Sequence, residues 1–148
     1  MEKLNLDLGL KEYQFPGGVL VFNPSDPNVY DRFVKATETI KAIEQEMKGK
    51  AATIGEDDPD AGEKSLSVMA EMDSRMKSTL NGVFVGNTDF DKLVCGVNLV
   101  AVNSEGKMVI TSLMDTLKPV MEGGVQKFMD AEVDAAKLNR EQRRALQK

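Results

Sequence analysis

Few residues in this chain could do chemistry, and their types narrow what that chemistry could be. There is one cysteine, Cys95, and no histidine. A Ser-His or Cys-His nucleophile pair is therefore ruled out, as is an imidazole general base. Zinc has almost no ligands to draw on. No G-x-x-x-x-G-K-[ST] or G-x-G-x-x-G run is present, so a phosphate-cradling loop has no support. The acidic run Gly55-Glu56-Asp57-Asp58-Pro59-Asp60-Ala61-Gly62 invites a calcium reading. Its order does not match the spaced-ligand helix–loop–helix motif, so a solvated linker is the better account. Cys95 has Lys92 as its nearest cation in sequence and is expected to be a semi-buried structural thiol. The expectation is a non-enzyme with no cofactor and no metal, whose activity is binding.

Binding needs surfaces, and two features could supply them. The first is methionine, present nine times. Methionine adapts to varied partners and is over-used on promiscuous surfaces, though it also fills cores. The candidate partner-binding positions on helices are Met69, Met72, Met76 and Leu80, then Leu113, Leu117, Met121 and Met129. The second feature is a basic end. Lys137, Arg140, Arg143, Arg144 and Lys148 stand against Glu141, a net of +4. The whole chain is −5, so residues 1–136 carry −9. Arg140, Arg143 and Arg144 are candidate charge contacts to an acidic partner. The tail has no aromatic residues to stack on bases, which makes nucleic acid the weaker fit.

The elements that must carry these residues follow from periodicity. At 148 residues the chain fits one domain. No apolar run approaches the roughly 20 residues of a membrane span. The Met1–Asn5 start lacks the basic and apolar stretches of a secretion signal. Residues 1–24 read as β-structure. Leu4-Asn5-Leu6-Asp7-Leu8 alternates with period two, Pro16-Gly17-Gly18 is a turn, and Val19-Leu20-Val21-Phe22 is a buried strand. Ser25 or Asp26 caps a helix with Pro27 in its first turn. Val29, Phe33, Ala36, Ile40, Ile43 and Met47 then line one face until Gly49 stops the helix. Residues 50–64 form a flexible acidic loop. A second helix spans about Gly62 to Asn81, stopped by Asn81-Gly82, and Thr88 or Asp89 caps a short one. Residues 97–106 stay undecided between extended chain and turn. A third long helix starts near Lys107, with Pro119 and Gly123-Gly124 expected to bend or break it. Residues 137–148 form a basic tail, frayed or helical only on a partner. The fold class is α+β, mostly α: a small N-terminal antiparallel sheet on a bundle of about three main helices.

The order of these pieces resembles a known family. Phe22-Asn23-Pro24-Ser25-Asp26 leads into Val29-Tyr30-Asp31-Arg32-Phe33, and Met72-Asp73-Ser74-Arg75-Met76-Lys77 leads into Asn81-Gly82-Val83-Phe84. Asp91-Lys92-Leu93-Val94-Cys95-Gly96-Val97-Asn98 and an amphipathic stretch from Leu113 to Val120 follow. Over roughly residues 19 to 130 this resembles the tail assembly chaperones of long-tailed bacteriophages and prophages of Gram-positive hosts. It departs at Val83-Phe84-Val85-Gly86, where a glycine directly after the phenylalanine is expected, and in the acidic loop at 55–63. The resemblance implies a protein of the bacterial host cytoplasm that binds the helical tape-measure protein and helps recruit tail-tube subunits. Such a protein is absent from the finished particle, and self-association is compatible with its role. The alternatives are a permanent structural or adaptor protein of the tail and, more remotely, a small nucleic-acid-binding regulator.

Overall fold

The computed structural model describes residues 1–146. Its order is β1 (Lys11–Phe15), β2 (Gly18–Phe22), α1 (Pro27–Ala52), α2 (Ala61–Val83), α3 (Phe90–Leu93) and α4 (Val109–Leu146). The fold is α+β and mostly α, with one two-stranded antiparallel sheet packed on three long helices and one short one.

The sheet is smaller than the period-two pattern suggests. Lys11 pairs with Phe22, Tyr13 with Leu20 and Phe15 with Gly18, but residues 1–10 join no strand. Leu4, Leu6, Leu8 and Leu10 are 87%, 78%, 57% and 56% exposed. Alternation fixes which side chains share a face; it does not supply a neighbouring strand to hydrogen-bond with. The Pro16-Gly17 turn docks where α3 ends. The Gly17 N–H donates to the Leu93 carbonyl at 3.0 Å, and a Cβ there would lie 1.8 Å from the Lys92 oxygen, so only glycine fits.

Aromatic rings fix the sheet to the helices. Tyr13 stacks on Phe22 at 5.0 Å, Phe22 meets Phe84 at 4.7 Å, and Phe84 meets Phe90 at 5.7 Å. Such offset and edge contacts add to the burial of large apolar area. Helix α1 starts as its sequence indicates: Asp26, not Ser25, accepts the Asn28 N–H at 2.9 Å. Its buried residues are Val29, Phe33, Ala36, Ile40, Ile43 and Met47, the face that the three-four spacing marks.

Three helix boundaries differ from the sequence reading, each for a physical reason. Gly49 does not stop α1. Glycine costs only about 1 kcal/mol inside a helix, and the turn beyond it is pinned where the Lys50 ammonium meets Glu71 of α2 at 3.0 Å. The acidic loop is accordingly shorter, from Thr53 to Asp60, with Asp58 paired to Lys64. Asn81-Gly82 does not stop α2 either. The helix runs to Val83, whose carbonyl accepts the Arg32 Nε–H at 2.9 Å from α1.

Helix α4 is the third case. It continues unbroken through Pro119 and Gly123-Gly124 for 38 residues. Gly124 is buried, and a Cβ there would sit 1.7 Å from the Pro24 carbonyl oxygen. This glycine lets α4 pass directly over the turn between β2 and α1, and that contact outweighs its poor helix propensity. The helix also crosses the expected domain boundary at 136/137 without interruption and reaches Leu146. The basic tail is therefore helical as far as it is described; Lys148 lies outside the described residues.

Candidate protein-binding surfaces

Most of the candidate binding positions belong to the core. Met76 and Leu80 on α2, with Leu113, Leu117 and Met121 on α4, are buried in the single apolar cluster. Met72 is half-buried against that cluster. These residues hold the helices together, and all but Met72 offer no surface in this conformation. Met69 and Met129 are exposed, as are Arg140, Arg143 and Arg144. The reason is geometric: an amphipathic helix has one apolar stripe, and the bundle uses it first. The structure does not gather the exposed candidates into one site. Met69 lies on α2, while Met129 and the three arginines share the far half of α4.

Among the described residues, that half of α4 packs against no other element. Every residue from Met129 to Leu146 is exposed. At 1.5 Å per residue these eighteen residues extend for roughly 27 Å. The buried stripe of α4, Ile110, Leu113, Leu117, Met121 and Gly124, does not end where the body ends. At the same three-four spacing it continues through Phe128, Ala131, Ala135 and Leu138. The free part thus carries an apolar seam of small and medium side chains. Its charges are ordered along the axis. Asp130, Glu132 and Asp134 come first, then Lys137, Arg140, Arg143 and Arg144 with only Glu141 against them. Basic side chains in the last turn also suit the negative end of the helix dipole.

A polar clasp, rather than a reactive site, joins the motif residues of α2 and the α3 segment. Lys77 is buried, with its side chain only 6% exposed. Its ammonium donates to Asp73 at 2.9 Å and to Asp91 at 2.6 Å. Burial pushes the Lys77 pKa down, but the bonds to Asp91 and Asp73 outweigh it and the net direction is up. Asp73 also accepts the Leu99 N–H at 2.8 Å, and Asn98 donates to the Met69 carbonyl at 3.2 Å. Among the described residues, no buried side-chain polar atom lacks a partner, so the cluster is structural. Sequence reasoning missed Lys77, although the four-residue offset from Asp73 signals a helical ion pair.

Cys95 corrects a further expectation. It is exposed, in a left-handed turn with φ +56°, followed by Gly96 at +73°. It lines a groove of about 710 Å³ between β1 and α4, with Tyr13, Phe15, Leu113 and Val120 on its walls. A second groove of about 430 Å³ runs between α1 and α4, past Tyr30, Val34 and Met114. The stretch left open at 97–106 closes on Asn103. Its side chain accepts the Glu105 and Lys107 N–H groups and donates to Ser112 at 2.8 Å. Val102 bridges Met108, and the carbonyls of Ala101 and Leu99 take the first free N–H groups of α4.

Among the described residues, no group of side chains could hold a metal ion and no helix is long and apolar enough to cross a membrane. No family model, no curated protein and no solved structure matches this chain.

Proposed function

We propose that this protein is a tail assembly chaperone of a long-tailed phage or prophage. It works in the host cytoplasm, holds the helical tape-measure protein and helps bring tail-tube subunits to it. It does no catalysis and is absent from the finished particle. One observation carries this reading: the distal half of α4 is an exposed amphipathic helix with no partner in its own chain. Exposed apolar seams of this kind mark interaction sites, and the simplest complement for such a seam is another amphipathic helix. The arginines beyond Asn139 favour an acidic stretch of that client and set its direction along α4. The motif resemblance between residues 19 and 130 supplies the tail-assembly context; the helix supplies the mode of binding.

The test is co-expression with the tape-measure protein of the same phage. The full chain should keep that client soluble and co-purify with it. A chain ending at Lys127 should keep its helical body and lose the client, because the removed residues make no contribution to the core. If the full chain neither solubilises nor contacts the client, yet is stoichiometric in purified tails, it is a structural component and the chaperone reading is wrong.

A further inference from the structure

Among the described residues, neither the N-terminal segment nor the outer edge of β1 has a partner strand. Leu4, Leu6, Leu8 and Leu10 alternate with Asn5, Asp7 and Gly9, so an extended chain puts all four leucines on one side. All four are exposed, and residues 1–10 form no strand. β1 has a strand on one edge only. Beside its open edge lies the 710 Å³ groove between β1 and α4, walled by Tyr13, Phe15, Val109, Leu113, Leu117 and Val120. Tyr13 and Phe15 mark the face of β1 that turns toward the helices, since Leu20, the cross-strand neighbour of Tyr13, is buried and Phe15 meets the buried Phe90 ring edge-on at 6.1 Å. A third strand beside β1 with leucines on that same face would pair the open backbone groups and fill the groove.

The chain's own segment is held elsewhere. Gly9 takes φ +66°, and its N–H donates to Asp7 Oδ1 at 2.8 Å. Asn23, the residue after β2, donates to the Leu8 carbonyl at 3.0 Å. This ties the root of the segment to the β2 side of the sheet, away from the open edge of β1.

We propose that residues 4–10 of a second copy of this chain add to the open edge of β1, and that two copies exchange these segments reciprocally. The area favours exchange in both directions. A leucine sheds roughly 60–120 Å² on full burial, taking its transfer energy at about 25 cal/mol per Å². Four leucines and the groove they cover then bury roughly 500–950 Å², too little for a stable interface. Reciprocal exchange doubles this to roughly 1,000–1,900 Å², the size of a stable dimer. Backbone pairing to an open strand gives the affinity, and the leucines in the groove give the register. This exchange is separate from client binding and uses no residue of the distal α4.

The experiment combines mass in solution with directed cross-linking of the full chain. Light scattering at micromolar concentration should report a dimer. The Leu6→Asp/Leu8→Asp variant should be a monomer with unchanged helix content, because these residues lie outside the core, and its Tm should no longer rise with protein concentration as that of the wild type does. Its self-association should weaken by roughly a hundredfold or more, since an unpaired carboxylate would enter an apolar groove. Cys95 lines that groove and serves as the probe. Chains carrying Cys95→Ser with Leu4→Cys, Leu6→Cys or Leu8→Cys, mixed with wild-type chains and oxidised, should give a disulfide between copies for at least one position. A monomeric wild-type protein overturns the proposal. So does a double variant that remains dimeric, or the absence of any inter-chain disulfide across the three positions.

Discussion

Replacing Lys77 by methionine tests the clasp that joins α2 to the α3 segment. The methionine stem keeps the packing of the lysine methylenes and removes only the ammonium. Two charge-assisted bonds disappear, and they are not equal. The Asp73 side chain is largely buried, while that of Asp91 is 64% exposed. A buried charged hydrogen bond contributes about 1.5–3 kcal/mol; one to an exposed carboxylate contributes about 0–1 kcal/mol because water and salt screen it. Asp73 keeps the Leu99 N–H, which limits the cost of leaving it unpaired. The expected loss is about 2–3 kcal/mol, or a fall in Tm of roughly 6–12 °C for a chain of this size. Urea unfolding followed by circular dichroism measures it. The double variant Lys77→Met/Asp73→Asn should lose less than the sum of the single changes, since the two residues share one interaction. The pH dependence has a definite sign. The folded pKa of Lys77 is raised above its ordinary value of 10.5, so its contribution is complete below about pH 9.5 and is lost as pH rises through the folded pKa. The gap between wild type and Lys77→Met should hold through neutral pH and narrow only above about pH 10.5. A loss below about 0.5 kcal/mol, or a gain, would mean that desolvating the ammonium cancels its bonds and the clasp confers no stability.

The paired glycines of α4 should behave oppositely. Gly123→Ala meets nothing within 4 Å and should stabilise by about 0.5–1 kcal/mol, whereas Gly124→Ala strikes the Pro24 carbonyl and should cost about 3 kcal/mol or more; thermal melts of the two variants decide it. Replacing residues 53–60 with a Gly/Ser linker should leave Tm nearly unchanged, and a large fall would show that the loop is part of the fold. Changing Arg140, Arg143 and Arg144 together to glutamine should leave helix content and melting intact while weakening client capture. That weakening should shrink at high salt, where exposed charges are already screened.

Local order was legible in the sequence. The spacing from Val29 to Met47 marks the buried face of α1 residue for residue, and Asp26 and Asp89 cap their helices as their types allow. Such features depend on neighbours three or four residues away, which the sequence contains. The fold class was legible for the same reason, because a short β-patterned start followed by three long amphipathic stretches leaves few ways to bury the apolar faces. The candidate site was legible only in part. Periodicity placed Met76, Leu80, Leu113, Leu117 and Met121 on apolar faces but could not tell a face turned inward from one left open. Met129 and the arginines are exposed because the body ends before α4 does, and only the packed structure has that boundary. Gly124 shows the same division from the other side. As a residue type it signals a break, yet a carbonyl from the β2–α1 turn, one hundred residues earlier, needs the space that its missing Cβ leaves. The four N-terminal leucines complete the case: alternation established that they share one side of an extended chain, while only the folded chain shows that they join no strand.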